Sequence, residues 1–281
     1  MENQAVSSIK LKNYLDTKKR DSRLVGSIER HILSKPFDER DQTVLHPSDI
    51  IKPEWCALAA YHALKGNYIE TRERPTLRTQ SIFDTGHGAH AKWQTYLREM
   101  GVLYGVYRRH GWTLAEFAVL DDSDYLEVPL HSEKHKISGK ADGWVKGIGD
   151  DFLIEIKTIG SGTIRMEAPG LFAGSQDVES AWKNIRQPFA SHIRQGQVYL
   201  HLAHLMVETG EFESAPDEIV FIYELKANQD YKEFSVAYNP EHSAQYFDAA
   251  LDVVWAVDND RPPVCTVDPV LGCTRCKPFR S

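Results

Sequence analysis

Short runs of apolar and β-branched residues, separated by turn-forming residues, predict a β-sheet in the second half of the chain and just before it. The predicted strands are residues 102–106, 112–119, 125–130, 218–225 and 234–238. Two further apolar runs end at Val145 and begin at Phe152, and the segment between them contains Gly147 and Gly149. Glycines between two such runs are typical of a hairpin, so we expect these two strands to pair.

Apolar residues recur at spacings of three and four in other segments, which predicts amphipathic helices. These segments are residues 50–64, 80–100, 181–207 and 240–257. The group Pro47-Ser48-Asp49 is a typical helix start, and Gly101 is a typical helix end. Residues 159–180 are rich in Gly, Ser and Ala, which predicts one long loop. The whole pattern favours an α/β fold, in which helices flank a mixed central sheet.

Composition sets bounds on the domain organisation. The chain has 281 residues, of which 42% are hydrophobic, so it can bury a substantial core. Residues 1–42 are polar and charged, which predicts an N-terminal appendage and leaves 43–281 as the main domain. No apolar run is long enough to cross a membrane, and the first residues lack the apolar stretch of a secretory signal. We therefore expect a cytoplasmic protein that does not bind membranes.

The charge distribution bears on binding to nucleic acid. A formal net charge of −7 argues against indiscriminate binding to an anionic polymer. A local basic groove is still compatible with this value, because salt confines each field to about 10 Å. Basic residues cluster at 10–23, 72–78 and 108–110. Each cluster is as consistent with ordinary surface charge as with a DNA contact.

Three polar residues have a spacing that suggests chemistry. Asp142 follows one apolar run, and Glu155 and Lys157 lie two residues apart in the next. Residues i and i+2 of a strand project to one face, so Glu155 and Lys157 share a face while Ile154 and Ile156 turn into the core. Two carboxylates and an ammonium can hold Mg²⁺ and an attacking water, as phosphodiester hydrolysis requires. The alternative is a surface strand with an ordinary Glu–Lys pair.

This stretch resembles the active site of the PD-(D/E)XK nuclease superfamily, in its RecB-like branch. The resemblance rests on Gly139-Lys-Ala-Asp142-Gly143 followed by Glu155-Ile-Lys157. Two flanking motifs match in order and in approximate spacing: Gly86-His-Gly-Ala-His90 upstream and Gln195-Gly-Gln-Val-Tyr199 downstream. The resemblance implies a restriction-endonuclease-like fold.

The resemblance also implies a role for the matched residues, which are expected to bind Mg²⁺ or Mn²⁺ and to catalyse hydrolysis. The implied metal ligands are His90, Asp142, Glu155 and the backbone carbonyl of Ile156, and the implied catalytic residues are Asp142, Glu155 and Lys157. Gln195 and Tyr199 are i and i+4 on a helix and share a face, so they are expected to steady the site or contact DNA.

Each helical residue of this set also has an ordinary interpretation. His90 alone is equally typical of a buried, hydrogen-bonded helix histidine, and His87 competes with it for the metal. Gln195 and Tyr199 are also typical of helix–sheet packing with a polar tip.

The four cysteines predict a metal centre. They are Cys56, Cys265, Cys273 and Cys276. A Cys-x-x-Cys pair with two further thiolates suits tetrahedral zinc or an iron–sulfur cluster. One N-terminal and three C-terminal cysteines resemble the iron–sulfur nucleases, namely the AddB nuclease and the CRISPR-associated RecB-like exonucleases. That resemblance implies a [4Fe–4S] cluster that staples the chain ends in a cap formed by the N-terminal helices and the cysteine tail. The lone Cys265 precedes the pair, contrary to the order expected in that family, so zinc is kept as the alternative.

These observations predict a metal-dependent DNA nuclease. The resemblance adds an exonuclease that acts on single strands or DNA ends in repair, recombination, replication or CRISPR-type processing. It names DNA as the substrate and recombination or CRISPR proteins as candidate partners. The alternative is a catalytically silent DNA-binding or scaffold protein with the same fold.

Overall fold

A computed structural model describes residues 23–36, 40–70, 74–105, 107–108, 126–172, 177–267 and 272–279. The chain divides into two compact units. One unit comprises Met1–Arg40 and Arg72–Asp84, and the other comprises Asp41–Thr71 and Thr85–Ser281. The division into 1–42 and 43–281 stays a prediction. The predicted strand at 112–119 lies outside the described residues.

Along the described residues four α-helices are followed by six strands, three α-helices, two strands and one last α-helix. The helices are α1 (Arg23–Ser34), α2 (Pro47–Ile50), α3 (Ala57–Leu64), α4 (Leu77–Glu99), α5 (Ser161–Glu167), α6 (Val178–Lys183), α7 (Ala190–Glu208) and α8 (Pro240–Asp258). Short 3₁₀ helices span Pro169–Phe172 and Lys277–Phe279. The strands are β1 (Leu103–Tyr104), β2 (Tyr107–Arg108), β3 (Leu126–Ser132), β4 (Ile137–Ala141), β5 (Gly143–Val145), β6 (Phe152–Ile159), β7 (Glu218–Leu225) and β8 (Tyr231–Ala237).

Five of the described strands form the central sheet, in the order β1-β5-β6-β7-β8. Its pairs are antiparallel except β6–β7, which is parallel and needs the long crossover through α5, α6 and α7. A smaller antiparallel sheet has the order β2-β3-β4. The predicted α/β fold and the predicted β5–β6 hairpin are confirmed, and the architecture is consistent with a restriction-endonuclease-like fold.

Helices cover both faces of the central sheet. On one face Ile154 and Ile156 pack with Val145 and Val220 beneath the α4 residues Trp93 and Leu97. On the other face the core is built largely from β6, β7 and the buried stripe of α7. The expectation that Ile154 and Ile156 turn into the core is therefore confirmed. No helix within the described part of the chain has both the length and the apolar character needed to cross a membrane.

Three sequence predictions about helices and loops are wrong. Residues 159–180 are not one long loop, since α5, a 3₁₀ helix and α6 lie within them. Burial of Ile164 and Trp182 stabilises these short helices, although their composition does not favour them. The predicted helix 181–207 is split between α6 and α7. Pro188 lies in the break, and a proline disfavours the helical conformation of the residue before it. The predicted helix 50–64 is likewise divided, into α2 and α3.

Helix α7 approaches β7 closely at Gly196. A methyl group added there would lie 2.8 Å from Cζ of Phe221 and 3.0 Å from Cγ2 of Ile219. Both neighbours are fully buried and cannot easily move. Gly196 therefore sets how deeply α7 packs on the sheet.

Replacing this glycine is expected to destabilise the protein. Gly196→Ala gains helix propensity but overpacks the contact, at a cost of about 1–3 kcal/mol. The matched control is Gly162→Ala on α5, where nothing lies within 4 Å of the added methyl group. Thermal and urea unfolding should show a lower stability for Gly196→Ala and an unchanged or higher stability for Gly162→Ala. Equal effects of the two substitutions would contradict this account.

Candidate active site and candidate metal centre

The candidate active site lies where the β5–β6 ladder stops. The last pair of that ladder is Gly143 with Ile154, so the N–H of Ile156 has no β5 partner. The Asp142 carboxylate replaces the missing strand, because its Oδ2 accepts a hydrogen bond of 2.7 Å from the Ile156 N–H. A buried aspartate is thereby fixed beside the strand that carries Glu155 and Lys157.

The glycines on either side of Asp142 pack closely against their neighbours. A methyl group on Gly139 would lie 2.7 Å from Pro47 Cγ and 3.0 Å from Tyr199 Cε1. One on Gly143 would lie 2.5 Å from Leu103 Cδ1. The Gly-x-x-Asp-Gly pattern therefore lets the chain pass between its neighbours while the aspartate keeps its position.

Helix α4 brings His90 to the same place. Its Nδ1 lies 3.1 Å from Oδ1 of Asp142, although not in line for a well-directed hydrogen bond. Gln94, one turn further on, is fully buried and donates from Nε2 to the backbone carbonyl of Asp142. The same helix is fixed to β7, because Lys92 and Trp93 contact the Glu224 carboxylate at 2.6 and 2.7 Å.

A hydrogen-bonded chain links the second carboxylate to α7. Lys157 Nζ donates to Glu155 Oε1 at 2.7 Å and to Gln195 Oε1 at 3.1 Å. Gln195 Nε2 donates in turn to the Tyr199 hydroxyl at 2.8 Å. The structure thus places His90, Asp142, Glu155, Lys157, Gln195 and Tyr199 in one connected group.

The four cysteines form a second cluster. Their sulfur atoms all lie within 4.8 Å of one another, and Cys56 Sγ is 3.6 Å from Cys265 Sγ. Cys56 and Cys276 are buried, whereas Cys265 and Cys273 are half-buried. Four cysteines that lie close together can bind a metal, as their spacing in the sequence predicts.

Contacts on the protein side fix the two chain segments of this cluster. Cys56 is the N-cap residue of α3. The next residue, Ala57, donates its N–H to Thr266 Oγ1 at 3.1 Å, and that hydroxyl donates to the Trp55 carbonyl at 2.9 Å. The His62 and Phe279 rings stack with their centroids 3.9 Å apart.

Comparisons with known proteins do not place the chain in a family. No family model matches it, and no curated protein matches it. Among solved structures, it is similar to SSO0001, at 14% identity and a TM-score of 0.39, over 83% of this chain and 84% of that one. It is also similar to LHK-Exo, an alkaline exonuclease from Laribacter hongkongensis, at 12% identity and a TM-score of 0.42, over 78% and 90%. The structure of LHK-Exo in complex with dAMP gives 13% and 0.43 over the same shares. These similarities are too low to assign a function.

Burial and neighbouring charges shift the pKa values of the two carboxylates in opposite directions. For Glu155, burial and the nearby Asp142 charge raise the pKa to about 7, against the opposing effect of Lys157. For Asp142, burial raises the pKa, but the charge of His90 and the Ile156 hydrogen bond outweigh it and the net shift is downward. Asp142 therefore stays ionised, whereas Glu155 is poised to exchange a proton near neutral pH.

Lys157 stays cationic despite its environment. Burial lowers its pKa, but the charge and hydrogen bond of Glu155 outweigh burial, so the net shift is upward. An ammonium has three N–H donors, and among the described residues Lys157 uses two of them, on Glu155 and Gln195. One donor is left for a water or a substrate oxygen.

The candidate active site offers oxygen and nitrogen atoms that could serve as ligands of a divalent cation. Glu155 Oε2 is buried and has no hydrogen-bond partner among the described residues, and His90 Nδ1 lacks a well-directed one. The N–H and C=O of a strand residue leave on the same side, so the Ile156 carbonyl projects from the edge that faces Asp142. Buried acceptors without donors are costly, and a cation would satisfy them.

The cysteine cluster fits a metal by spacing and by chemistry. Four thiolates around a tetrahedral ion at about 2.3 Å lie roughly 4 Å apart, close to the spacing here. A [4Fe–4S] cluster binds each thiolate at its own corner iron, so these sulfurs would have to move apart to hold it. Burial raises the pKa of the Cys56 thiol to about 12, so binding of either metal must displace protons.

Sequence reasoning missed two polar residues at the candidate active site, Gln94 and His192. Gln94 lies four residues after His90 and is thus on its face of α4, which was an available signal. His192 lies three residues before Gln195 on α7. It contacts the hydroxyl of Tyr223, which is remote in sequence, and no local sequence pattern predicts this contact.

Proposed function

We propose that the protein is a metal-dependent DNA nuclease of the PD-(D/E)XK type. The observation that carries the proposal is the convergence of His90, Asp142, Glu155 and Lys157 at the edge where β5 stops pairing with β6. Two carboxylates, an imidazole and an ammonium in one group can hold a divalent cation and orient a water for hydrolysis of a phosphodiester. Structural ion-pair networks do not usually leave a carboxylate oxygen buried without a hydrogen-bond partner, and Glu155 Oε2 has none among the residues that the structure describes.

Each residue has a defined task in this proposal. His90, Asp142, Glu155 and the Ile156 carbonyl would hold Mg²⁺ or Mn²⁺, which when bound neutralises phosphate charge and makes water a better nucleophile. Lys157 is cationic and cannot accept a proton, so it acts as a donor that orients the attacking water or a phosphate oxygen. The water oxygen bonds to phosphorus and gives up one proton to solvent, the bond from phosphorus to the leaving sugar oxygen breaks, and that oxygen takes up a proton from solvent.

Gln195 and Tyr199 act through Lys157. Gln195 holds Nζ with its amide oxygen, and Tyr199 fixes the amide because its hydroxyl accepts from the other end. Burial raises the pKa of Tyr199 well above its ordinary value, so its hydroxyl stays neutral. Both are positioning residues in this proposal rather than catalytic ones.

The form of the substrate follows from the family resemblance alone. It favours an exonuclease that acts on single strands or DNA ends in repair, recombination, replication or CRISPR-type processing. It also favours a [4Fe–4S] cluster on the four cysteines, with zinc as the alternative that the sulfur spacing supports. Recombination or CRISPR proteins are the corresponding candidate partners.

Cleavage of labelled DNA tests the proposal. Single-stranded and blunt-ended oligonucleotides should be degraded with Mg²⁺ or Mn²⁺ and should remain intact in EDTA. The matched control is Asp142→Asn, which keeps an oxygen for the Ile156 N–H but removes the charge, and it should be inactive. Equal background activity in wild type and control would remove the nuclease proposal. Binding of DNA by an inactive wild type would instead support the silent DNA-binding protein.

A further inference from the structure

The neighbour of Lys157 across the parallel strand pair is Tyr223. The two residues are in register between β6 and β7. Tyr223 is fully buried, and its hydroxyl accepts a hydrogen bond of 2.8 Å from the N–H of Phe189, the residue that precedes α7. The same hydroxyl contacts Nδ1 of His192 in the first turn of α7. His192 is thereby held next to the candidate catalytic lysine.

The hydrogen bonds of Tyr223 determine where His192 carries its proton. Among the described residues, the Tyr223 oxygen has two polar neighbours, the Phe189 N–H and His192 Nδ1. If Nδ1 carried the proton, the buried Tyr223 O–H would have no acceptor, which is costly. The O–H therefore donates to Nδ1, and the imidazole proton lies on Nε2. Burial, with the charge of Lys157, lowers the pKa of His192 to about 3, so the ring is neutral at physiological pH.

Within the described part of the chain, the outer edge of the His192 ring has no hydrogen-bond partner. The ring is held at an angle to the Phe189 and Tyr223 rings, with centroids 5.6 and 5.3 Å away. His192 is half-buried, and no described residue contacts its Nε2 by a hydrogen bond. It lies one helical turn before Gln195, which contacts Lys157. The structure thus holds one N–H donor in a fixed direction, near enough to Lys157 for its charge to act on the ring.

We propose that His192 is a substrate-binding residue, which donates its Nε2–H to a phosphate oxygen of the nucleic-acid strand bound beside Lys157. The inference rests on the proposed nuclease function and names a contact that its substrate makes. A neutral donor suits this place, because a second cation would repel Lys157 at close range. The protonated Nε2 cannot accept a proton or bind a metal, so the roles of general base and metal ligand are not assigned to His192.

Two substitutions test the two ring nitrogens separately: Nδ1, which faces Tyr223, and Nε2, the proposed donor to the substrate. In His192→Asn the amide oxygen can take the place of Nδ1 and accept from Tyr223, but the outward donor is lost. In His192→Gln the amide N–H can take the place of Nε2, but the inner bond is lost. The probe is a 5′-fluorescein-labelled oligothymidylate, with Mg²⁺ for cleavage and Ca²⁺ for binding by fluorescence anisotropy.

The two variants are expected to differ in opposite ways. His192→Asn should raise KM and the Kd for the oligonucleotide about tenfold, the range of a lost hydrogen bond to a charged group, with a smaller effect on kcat. His192→Gln should stay within about threefold of wild type, although it loses the inner bond. Thermal melting of both variants reports the structural cost separately. Normal binding by the Asn variant, or tenfold weaker binding by the folded Gln variant, overturns the proposal, so either variant decides alone.

Failure of the proposed function has a different signature. If wild type cleaves and Asp142→Asn does not, while His192→Asn equals wild type, the nuclease stands and the His192 contact falls. If wild type does not cleave under any condition, the nuclease falls. The anisotropy arm then still measures whether His192 contributes to binding of the strand.

Discussion

Glu155→Gln is expected to abolish DNA cleavage and, in the same protein, to raise the stability of the metal-free fold at about pH 8. Activity should fall roughly a thousandfold, because loss of a charged metal ligand removes about 4 kcal/mol of transition-state stabilisation. Stability should rise because the ionised Glu155 is unfavourable in the folded protein. The amide oxygen of the variant can still accept from Lys157, so the hydrogen-bonded chain to α7 is kept.

The sign of the stability effect follows from the raised pKa. Glu155 has an ordinary pKa of 4.5 and a folded pKa of about 7. The folded state therefore holds the proton more tightly, and its contribution to stability is complete below pH 4.5 and lost as pH rises through 7. The variant lacks this loss, so its advantage is absent in acid and reaches at most about 3 kcal/mol above neutrality.

Thermal melts in EDTA at about pH 5 and pH 8 measure this pH dependence. The variant should melt with wild type at the lower pH and several degrees higher at the upper one. Added Mg²⁺ should raise the Tm of wild type by mass action and leave that of the variant unchanged. The matched control is Glu233→Gln on the exposed side of β8, which should change neither activity nor the pH dependence. A variant that is active, or less stable than wild type at both pH values, would contradict the assignment of Glu155.

Cys276→Ser is expected to release the metal from the cysteine cluster and to lower the Tm by about 10 °C or more. The cluster joins residues 209 apart in the chain, as measured between Cys56 and Cys265. Closing a loop of that length in the unfolded state is worth about 5 kcal/mol by the chain-entropy estimate used for covalent cross-links. Cys276 is fully buried, so the serine variant also places a polar hydroxyl in the small core around Val267.

Metal analysis and a matched variant complete this test. Anaerobically purified wild type should contain either iron with sulfide and a broad visible absorption, or stoichiometric zinc without colour; the variant should contain neither. Thr266→Val is the control, because it removes the hydrogen bonds to Ala57 and Trp55 but no thiol. It should keep the metal and lose about 1–2 kcal/mol. If wild type binds no metal, or if the serine variant has the same Tm as wild type, a metal on the four cysteines does not stabilise the fold.

Local sequence signals were sufficient for some of the regular elements of this fold. The strand predicted at 218–225 is β7 with the same bounds, because an apolar run between polar turns has few alternatives. The start of α8 was readable from Pro240, since Asn239 caps it by accepting from the Glu241 N–H and proline suits the first turn. Signals within a few residues were therefore reliable for these two elements.

The breaks and short helices could not be read in the same way. Helix α6 depends on the burial of Trp182 in the main core and on the Asp177 side chain, which caps it. Neither contact is visible in a periodicity that continues smoothly into α7. Tertiary packing thus overrode the local pattern in the crossover between β6 and β7.

At the candidate active site, too, local signals identified some residues, and contacts between remote segments determine others. The spacing of Glu155 and Lys157 predicted that they share a face, the preceding apolar run singled out Asp142, and the resemblance added His90. The contacts of Gln94 and His192 were not predicted because each joins groups remote in sequence, Gln94 with the Asp142 carbonyl and His192 with the Tyr223 hydroxyl, although the spacing of Gln94 from His90 was an available signal for that residue. Such partners follow from the parallel register of β6 and β7 and from the docking of α4, and neither is encoded in a short motif.

The parallel pairing of β6 with β7 has a consequence during synthesis on the ribosome. Glu155 and Lys157 leave the exit tunnel on a strand whose inner neighbour is made only after α5, α6 and α7. Until then the nascent chain presents β6, with its fully buried isoleucines, as an open strand edge. Stalled or truncated chains that end within the crossover are therefore the species most exposed to aggregation, and to capture by chaperones.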